Sequence, residues 1–346
     1  MFIGKIQAAA LAATTSICMA FGAGAAEAQT ILRMNNWLPA GHLQLVNILL
    51  PWAEEVEKVT EGRVKIELTD ASLGAPPRQY DLAVDGIADV TVGVLGYTPG
   101  RFNLAGVAEL PFVGETAEEL SVALWRTHKE YFEAADEYKG VVMLGIYANG
   151  TGHIMTGEAA GPVTSLENYV GKKFRVGGGL VQQVNTLLGG VNIAVPAGET
   201  YEVLSQGIAD GTLLPYEAVP SFKLESLIKY STKVPGGLYS SVWFVAANPD
   251  SFAKLSPEDQ EKVLSVSGEH LARLAGIAQD QADAESRAKM EAAGTQFLVA
   301  DDAFVADLKE KLASMEASWI ETADKTGIDG RAALEYFRAQ VAELKK

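Results

Sequence analysis

The stretch "ILRMNNWLPAGHLQLVNILLPWAEEVEKVTEGRVKIELT", Ile31 to Thr69, changes its apolar period twice. Ile31 to Trp37 reads as a strand. From Gly41 to Val59 the apolar residues Leu45, Ile48, Leu49, Trp52 and Val56 recur at helical spacing and share one face. "RVKIELT" then returns to alternation. A strand, a helix and a second strand predict a β-α-β unit, the building block of sheets with parallel strands.

The same switching continues outward from that unit. A short helix from Arg78 to Val84 leads to a buried strand, "DVTVGVL"; a long amphipathic helix, "AEELSVALWRTHKEYFEAADEY", precedes the strand "GVVMLGIYAN". The first lobe is expected to span 29–150. A second α/β set fills 151–236: strand "HIMT", a short helix at Ser165 to Tyr169, strand "KKFRV", a helix at Leu180 to Leu188, strand "VNIAV", a helix at Glu199 to Gln206, and the apolar run Ala209 to Leu214. "GGLYSSVWFVAANP" is rich in β-branched and aromatic residues and predicts a strand that crosses back, so that about 237–255 completes the first lobe. Residues 256–346 are expected to be helical and to span both lobes. Ser256 is the expected N-cap of a helix running to Gly294, with Pro257 at its first position. No Pro/Ser linker separates the lobes, and several crossings between them imply a hinged clamshell.

The first 28 residues stand apart. They carry one early lysine, Lys5, then an apolar and small-residue run, and end in Ala26-Glu27-Ala28, which reads as a secretory signal cleaved near Ala28. The apolar run is too short and too interrupted for a membrane anchor. Cys18 is the only cysteine and lies in that signal, so the mature chain has no thiol chemistry. The expected location is the periplasm. A formal net charge of -16 argues against nucleic acid and anionic membranes as partners.

Enzyme signatures are not found. The four histidines, His42, His128, His153 and His270, show no metal-ligand spacing, and there is no nucleophile elbow. Acidic clusters such as "TAEEL" have helix-start spacing, which is the pattern of solvated faces. No catalytic residue, metal or cofactor is assigned. "RVGGGL" lacks the third glycine of a dinucleotide fingerprint, since position 182 is Gln. An anion site remains. Arg175 ends a predicted strand, and Gly177 to Gly179 lead into a helix whose first N–H groups would carry partial positive charge. A guanidinium there pairs either with a ligand carboxylate or with an acid of the other lobe, and position alone does not choose between them.

Along nearly its whole mature length the chain resembles the DctP-type periplasmic solute-binding proteins of TRAP (tripartite ATP-independent periplasmic) transporters. The matching pieces, in order, are "PAGH", "WAEEVEKVTEGRVKIEL", "SLGAPPRQYDLAVDGIADVTV", "AELPFV", "YANGTGHIMT", "SLENYVGKKFRV", "VPAGETYEVLSQGIADGTLLP" and "LSPEDQEKV". The resemblance implies a two-lobed α/β clamshell that closes on a small organic acid and delivers it to small and large integral membrane subunits. It favours a monomer. It also implies that Arg175 pairs with the ligand carboxylate. By the same alignment Asn35, Asn36, Trp37, Arg78 and Tyr97 would approach the ligand from the first lobe. Asn149, His153, Leu214, Tyr216, Glu217, Tyr239 and Trp243 would complete the site.

Three departures from the family pattern bear on the ligand. Leu214 stands in "DGTLLP" where binders of polar acids carry asparagine. "NGTG", Asn149 to Gly152, replaces a form with a second arginine. Pro196-Ala197-Gly198 is small and apolar. Each removes a polar or bulky contact, so the expected ligand is a monocarboxylate with an apolar, aromatic or keto-acid body, lying against Trp37, Tyr97, Tyr239 and Trp243. The alternatives are a C4-dicarboxylate, a zwitterion whose amine pairs with Glu217, and, in another class, a periplasmic enzyme on the same frame.

Overall fold

The structure is a computed structural model and describes residues 29–345; the expected signal lies outside the described residues. Among the described residues eleven strands form two sheets. The first contains β1 (Thr30–Asn35), β2 (Val64–Leu68), β3 (Val90–Val94), β4 (Val142–Ala148) and, from much later in the chain, β10 (Val242–Ala247). The second contains β5 (His153–Thr156), β6 (Lys173–Val176), β7 (Val191–Ala194), β8 (Gly211–Leu214), β9 (Tyr230–Lys233) and β11 (Gln296–Val299).

The first sheet has the order β2-β1-β3-β10-β4, with β1 parallel to β2 and β3. β10 enters antiparallel between β3 and β4 and is buried at all six positions. Burial on both faces explains why its sequence, "VWFVAA", is apolar without alternation. The second sheet has the order β11-β9-β5-β8-β6-β7, in which β6 runs parallel to β7 and β8.

The first β-α-β unit forms with one local change. Its helical run begins as a π-turn, Gln44–Leu49, and becomes α-helical at Leu50–Val59. Pro51 has no N–H to give to the preceding turn, and the Leu50 N–H reaches back five residues to Leu45.

Two helix expectations need correcting. Ser165 to Tyr169 is a turn, because the Asn168 side chain accepts the N–H groups of Thr164 and Ser165 at 3.0 and 3.1 Å. The run after Ser256 is two helices, Pro257–Ser265 and Glu269–Ala292. Between them Gly268 takes φ 60 and donates to the Leu144 carbonyl at 2.7 Å, and a Cβ there would press into the Trp125 indole. Only glycine gives the chain that conformation and that approach together. The Ser256 cap forms as expected, its Oγ accepting from the Asp259 N–H at 3.0 Å.

The helices after residue 256 tie the two sheets together. Glu269–Ala292 packs Leu271 on Gly145 of β4, donates from Gln279 to the Ala148 carbonyl, and ends with Met290 in a cluster with Met155 and Leu214 of the second sheet. A larger core joins Ile146 and Phe244 of the first sheet to Ile154, Phe174 and Leu213 of the second, with Phe304, Leu308, Trp319 and Phe337 from the last helices. The result is a two-lobed α/β protein whose C-terminal helices belong to both lobes. Among the described residues no helix is long and apolar enough to cross a membrane.

Candidate functional site

Arg175 is the third residue of β6 and is 2% exposed. Its Nε and Nη2 donate to the Val195 carbonyl at 3.0 and 2.7 Å, which fixes the plane of the guanidinium. Among the described residues no carboxylate lies within ion-pair distance of it. Burying a cation without an anion costs several kcal/mol, and a carboxylate arriving with a ligand would offset that cost. The structural ion pair that the sequence left open is therefore not formed among the described residues.

Arg175 belongs to the wall of a cavity between the two lobes, where about 540 Å³ of space, part of it open to solvent, is left unfilled by protein atoms. It is the single Lys or Arg in that wall. Much of the rest is aromatic. The indoles of Trp37 and Trp243 stack with centroids 5.8 Å apart and planes 9° apart, and Tyr97 meets Trp37 edge-on at 6.2 Å. Trp37 is held by its N–H, which donates to the Val92 carbonyl at 2.8 Å. Tyr239, Leu214 and Phe222 close further parts of the wall.

Tyr239 explains the missing second arginine. A Cβ on Gly152 would overlap the Tyr239 ring, so an aromatic side chain occupies the space that any larger residue at 152 would need. Both are held locally, the Gly152 N–H donating to the Tyr239 carbonyl at 2.9 Å.

The three glycines after Arg175 serve three different contacts. Gly177 lines the cavity. Gly178 lies against the backbone of Gly96, which follows β3, so closely that a Cβ on it would overlap the Gly96 carbonyl. Gly179 has φ 74 and sits against Glu109. The expectation of a helix start offering its first N–H to an anion is corrected here: the Leu180 N–H donates to Glu109 Oε2 at 2.9 Å. Glu109, 4% exposed, also accepts from the Val242 N–H at 3.2 Å, and burial pushes it up to about 7. Nearby, the Ala197 N–H donates to the Tyr97 hydroxyl at 3.0 Å. These contacts join the lobes in a closed arrangement.

Of the residues singled out in the sequence, Trp37, Tyr97, Asn149, Arg175, Leu214, Glu217, Tyr239 and Trp243 share this cavity. Five others do not line it. Asn35 is buried, donating to Gln79 at 2.6 Å and accepting from the Leu73 N–H at 2.8 Å. Asn36 closes its own turn by bonding to Leu38, and Arg78 is exposed in a 3-10 turn. His153 and Tyr216 stack on each other at 3.8 Å behind the wall. Burial lowers His153 to about 3, so it is neutral there.

His42, Phe222 and Ser241 line the cavity and were not singled out. His42 is 1% exposed, and burial lowers it to about 4. Its Nδ1 accepts from the Gln44 N–H at 3.1 Å, which leaves Nε2 as the protonated nitrogen. Its place in "PAGH" was visible; its direction was not, because a histidine before a helix faces the core or the solvent equally well.

A larger cleft of about 960 Å³ opens on the other side of the seam, and Glu109 is the only charged residue in its wall. That wall offers no Lys or Arg to a carboxylate. Among the described residues no cluster of three or more His, Cys, Asp or Glu could hold a metal.

Two lobes that close over a lone buried cation set among aromatic rings have the build of a solute-binding protein. The sequence comparisons agree. The model of the bacterial extracellular solute-binding protein family 7, DctP, matches residues 34–322, and the chain belongs to that family. It is 32% identical over 322 residues to the outer membrane transporter protein TsaT of Comamonas testosteroni, covering 92% of this chain and 94% of that one. Its fold is similar to a TRAP periplasmic solute-binding protein from Bordetella bronchiseptica with bound (R)- and (S)-mandelate. There the TM-score is 0.89 and the identity 43%, with 91% of this chain and 100% of the other covered. It is also similar to a marine metagenome TRAP solute-binding protein specific for aromatic acid ligands, solved with metahydroxyphenylacetate. That match has a TM-score of 0.85 and 29% identity over 92% of this chain and 100% of the other.

Proposed function

We propose that this protein captures an aromatic monocarboxylate in the cavity between its lobes and hands it to the membrane subunits of a TRAP transporter, without chemical change. The observation that carries this reading is Arg175: a guanidinium 2% exposed, oriented by one backbone carbonyl, with no carboxylate of the described chain beside it. A bidentate pair with a ligand carboxylate satisfies that cation and orients the acid. The indole and phenol rings around it give apolar faces for the ligand body. A C4-dicarboxylate fits less well, since the wall has no second cation for a second charge. The mandelate and hydroxyphenylacetate bound by the similar proteins support the same ligand class.

Delivery to a permease requires export, which we assign to the first 28 residues, and a monomer that closes on its ligand and reopens. The Gly96–Gly178 contact, the Tyr97–Ala197 bond and the Glu109–Leu180 bond are the seam that closes. A ligand that binds only the closed state shifts the population toward it.

A thermal-shift screen tests the reading, because a ligand of the native state raises Tm by mass action. Mandelate, benzoate or hydroxybenzoate should raise Tm, by roughly 5 °C at 100 times Kd, and succinate or malate should not. Recovery of the acid unchanged after prolonged incubation is expected. Conversion of the acid, or a response to dicarboxylates alone, would overturn the assignment.

A further inference from the structure

Carboxylate capture by Arg175 leaves a buried acid in the cavity wall unused. Glu217 follows β8, is 3% exposed and lines the cavity, and its Oε2 has no hydrogen-bond partner among the described residues. Its own N–H donates at 2.7 Å to Oδ1 of Asp283 on the long helix Glu269–Ala292, so two carboxyl groups are held near each other. Among the described residues no Lys or Arg lies within ion-pair distance of either.

Two neighbouring carboxyls without a cation do not both ionise in a dry site. Burial first, and the Asp283 charge second, push Glu217 well above the usual carboxylate range. Burial raises Asp283 too, to about 7, but Asp283 as a residue is only half-buried and its carboxylate accepts a backbone N–H. Of the two, Glu217 is therefore the group that holds a proton.

We propose that Glu217 presents a neutral carboxyl to the cavity and reads a second oxygen on the ligand, a hydroxyl or oxo group, through its own O–H and C=O. A neutral carboxyl has one donor and one acceptor for this purpose. An acid that lacks the second oxygen leaves both unpaired, and a site built to hydrogen-bond an oxygen rejects such an analogue. Leu213, Leu214 and Phe222 of the same wall carry no polar side chain. The inference rests on the proposed capture of an aromatic acid by Arg175 and adds the feature that selects among such acids.

Calorimetric titration of the full chain with matched acids tests it: mandelate against phenylacetate, 3-hydroxybenzoate against benzoate, and phenylglycine as the ammonium counterpart of mandelate. The wild type should prefer the oxygenated member of at least one pair by about tenfold or more. Glu217→Gln keeps a donor and an acceptor and should hold that ratio within about threefold, whereas Glu217→Leu should bring it to about one. A ratio unchanged in Glu217→Leu overturns the inference. So does phenylglycine binding tighter than mandelate and lost in Glu217→Gln, which would make Glu217 a carboxylate. Should Glu217→Leu not fold, the wild-type ratio and the Gln variant still decide. If the wild type binds no acid, the Arg175 reading fails; if it binds acids with no preference for oxygen, only this inference does.

Discussion

Gly178 carries the closure of the lobes at the scale of one residue. Its backbone touches that of Gly96 with no room for a Cβ on either side. Gly178→Ala would hold the lobes apart where the ligand must be enclosed. Overpacking of this kind costs about 1–3 kcal/mol, so mandelate affinity should fall about 10- to 100-fold. The unliganded variant can relax by opening, and its Tm should stay within a few degrees of wild type. Titration calorimetry and thermal melting separate the two effects; undiminished affinity would mean that this contact is not part of the bound state. A cation at a strand end beside three glycines marked Arg175 as a candidate anion site, and only the family resemblance directed it to a ligand carboxylate. The uses of those glycines were not legible. The sequence suggested a helix start beside the cation, while the structure divides them among the cavity, the opposite lobe and Glu109. The difference depends on the position of Gly96, about 80 residues earlier in the chain, and no local signal reports such a meeting.

Among the elements, the helix Leu180–Leu187 starts at the seam, and Glu109 caps it from the other lobe. The same carboxyl accepts the N–H of Val242 where β10 begins, so one buried acid joins three segments. Burial raises it from 4.5 to about 7 in the folded state. Below about pH 4.5 it is protonated in both the folded and unfolded chain, and above about pH 7 it is ionised in both. Between those values only the folded chain holds the proton, so its contribution to stability falls as pH rises. The stability of wild type relative to Glu109→Gln should be highest near pH 4.5 and fall by about 3 kcal/mol at most by about pH 8. Urea unfolding across that range measures it, and a difference that is flat with pH would contradict the assignment. Strand and helix periods were readable wherever one face is buried, as in the Ile31 to Thr69 unit. The break at Gly268 was not, because glycine inside a helical pattern is ambiguous until the Trp125 ring that it must clear is known.

For the whole molecule, the two sheets share one large core, and the C-terminal helices contribute to it from Phe304 to Val341. The closure proposed above would move lobes that are already joined by packed helices and by the strand β10. The cavity took in eight of the residues expected there from sequence, because strand ends and the loops after them face the cleft in such a frame. His153 and Tyr216 fell outside it because the pairing of β5 with β8 turns them toward each other. The central claim is that Arg175 takes the ligand carboxylate within the closed cavity. Titration of mandelate into wild type and Arg175→Met, with circular dichroism melting of both, tests it most directly. The account predicts that the variant folds and loses affinity at least about 100-fold, the scale of a desolvated charge pair. A folded Arg175→Met protein that binds mandelate as tightly as wild type would contradict it.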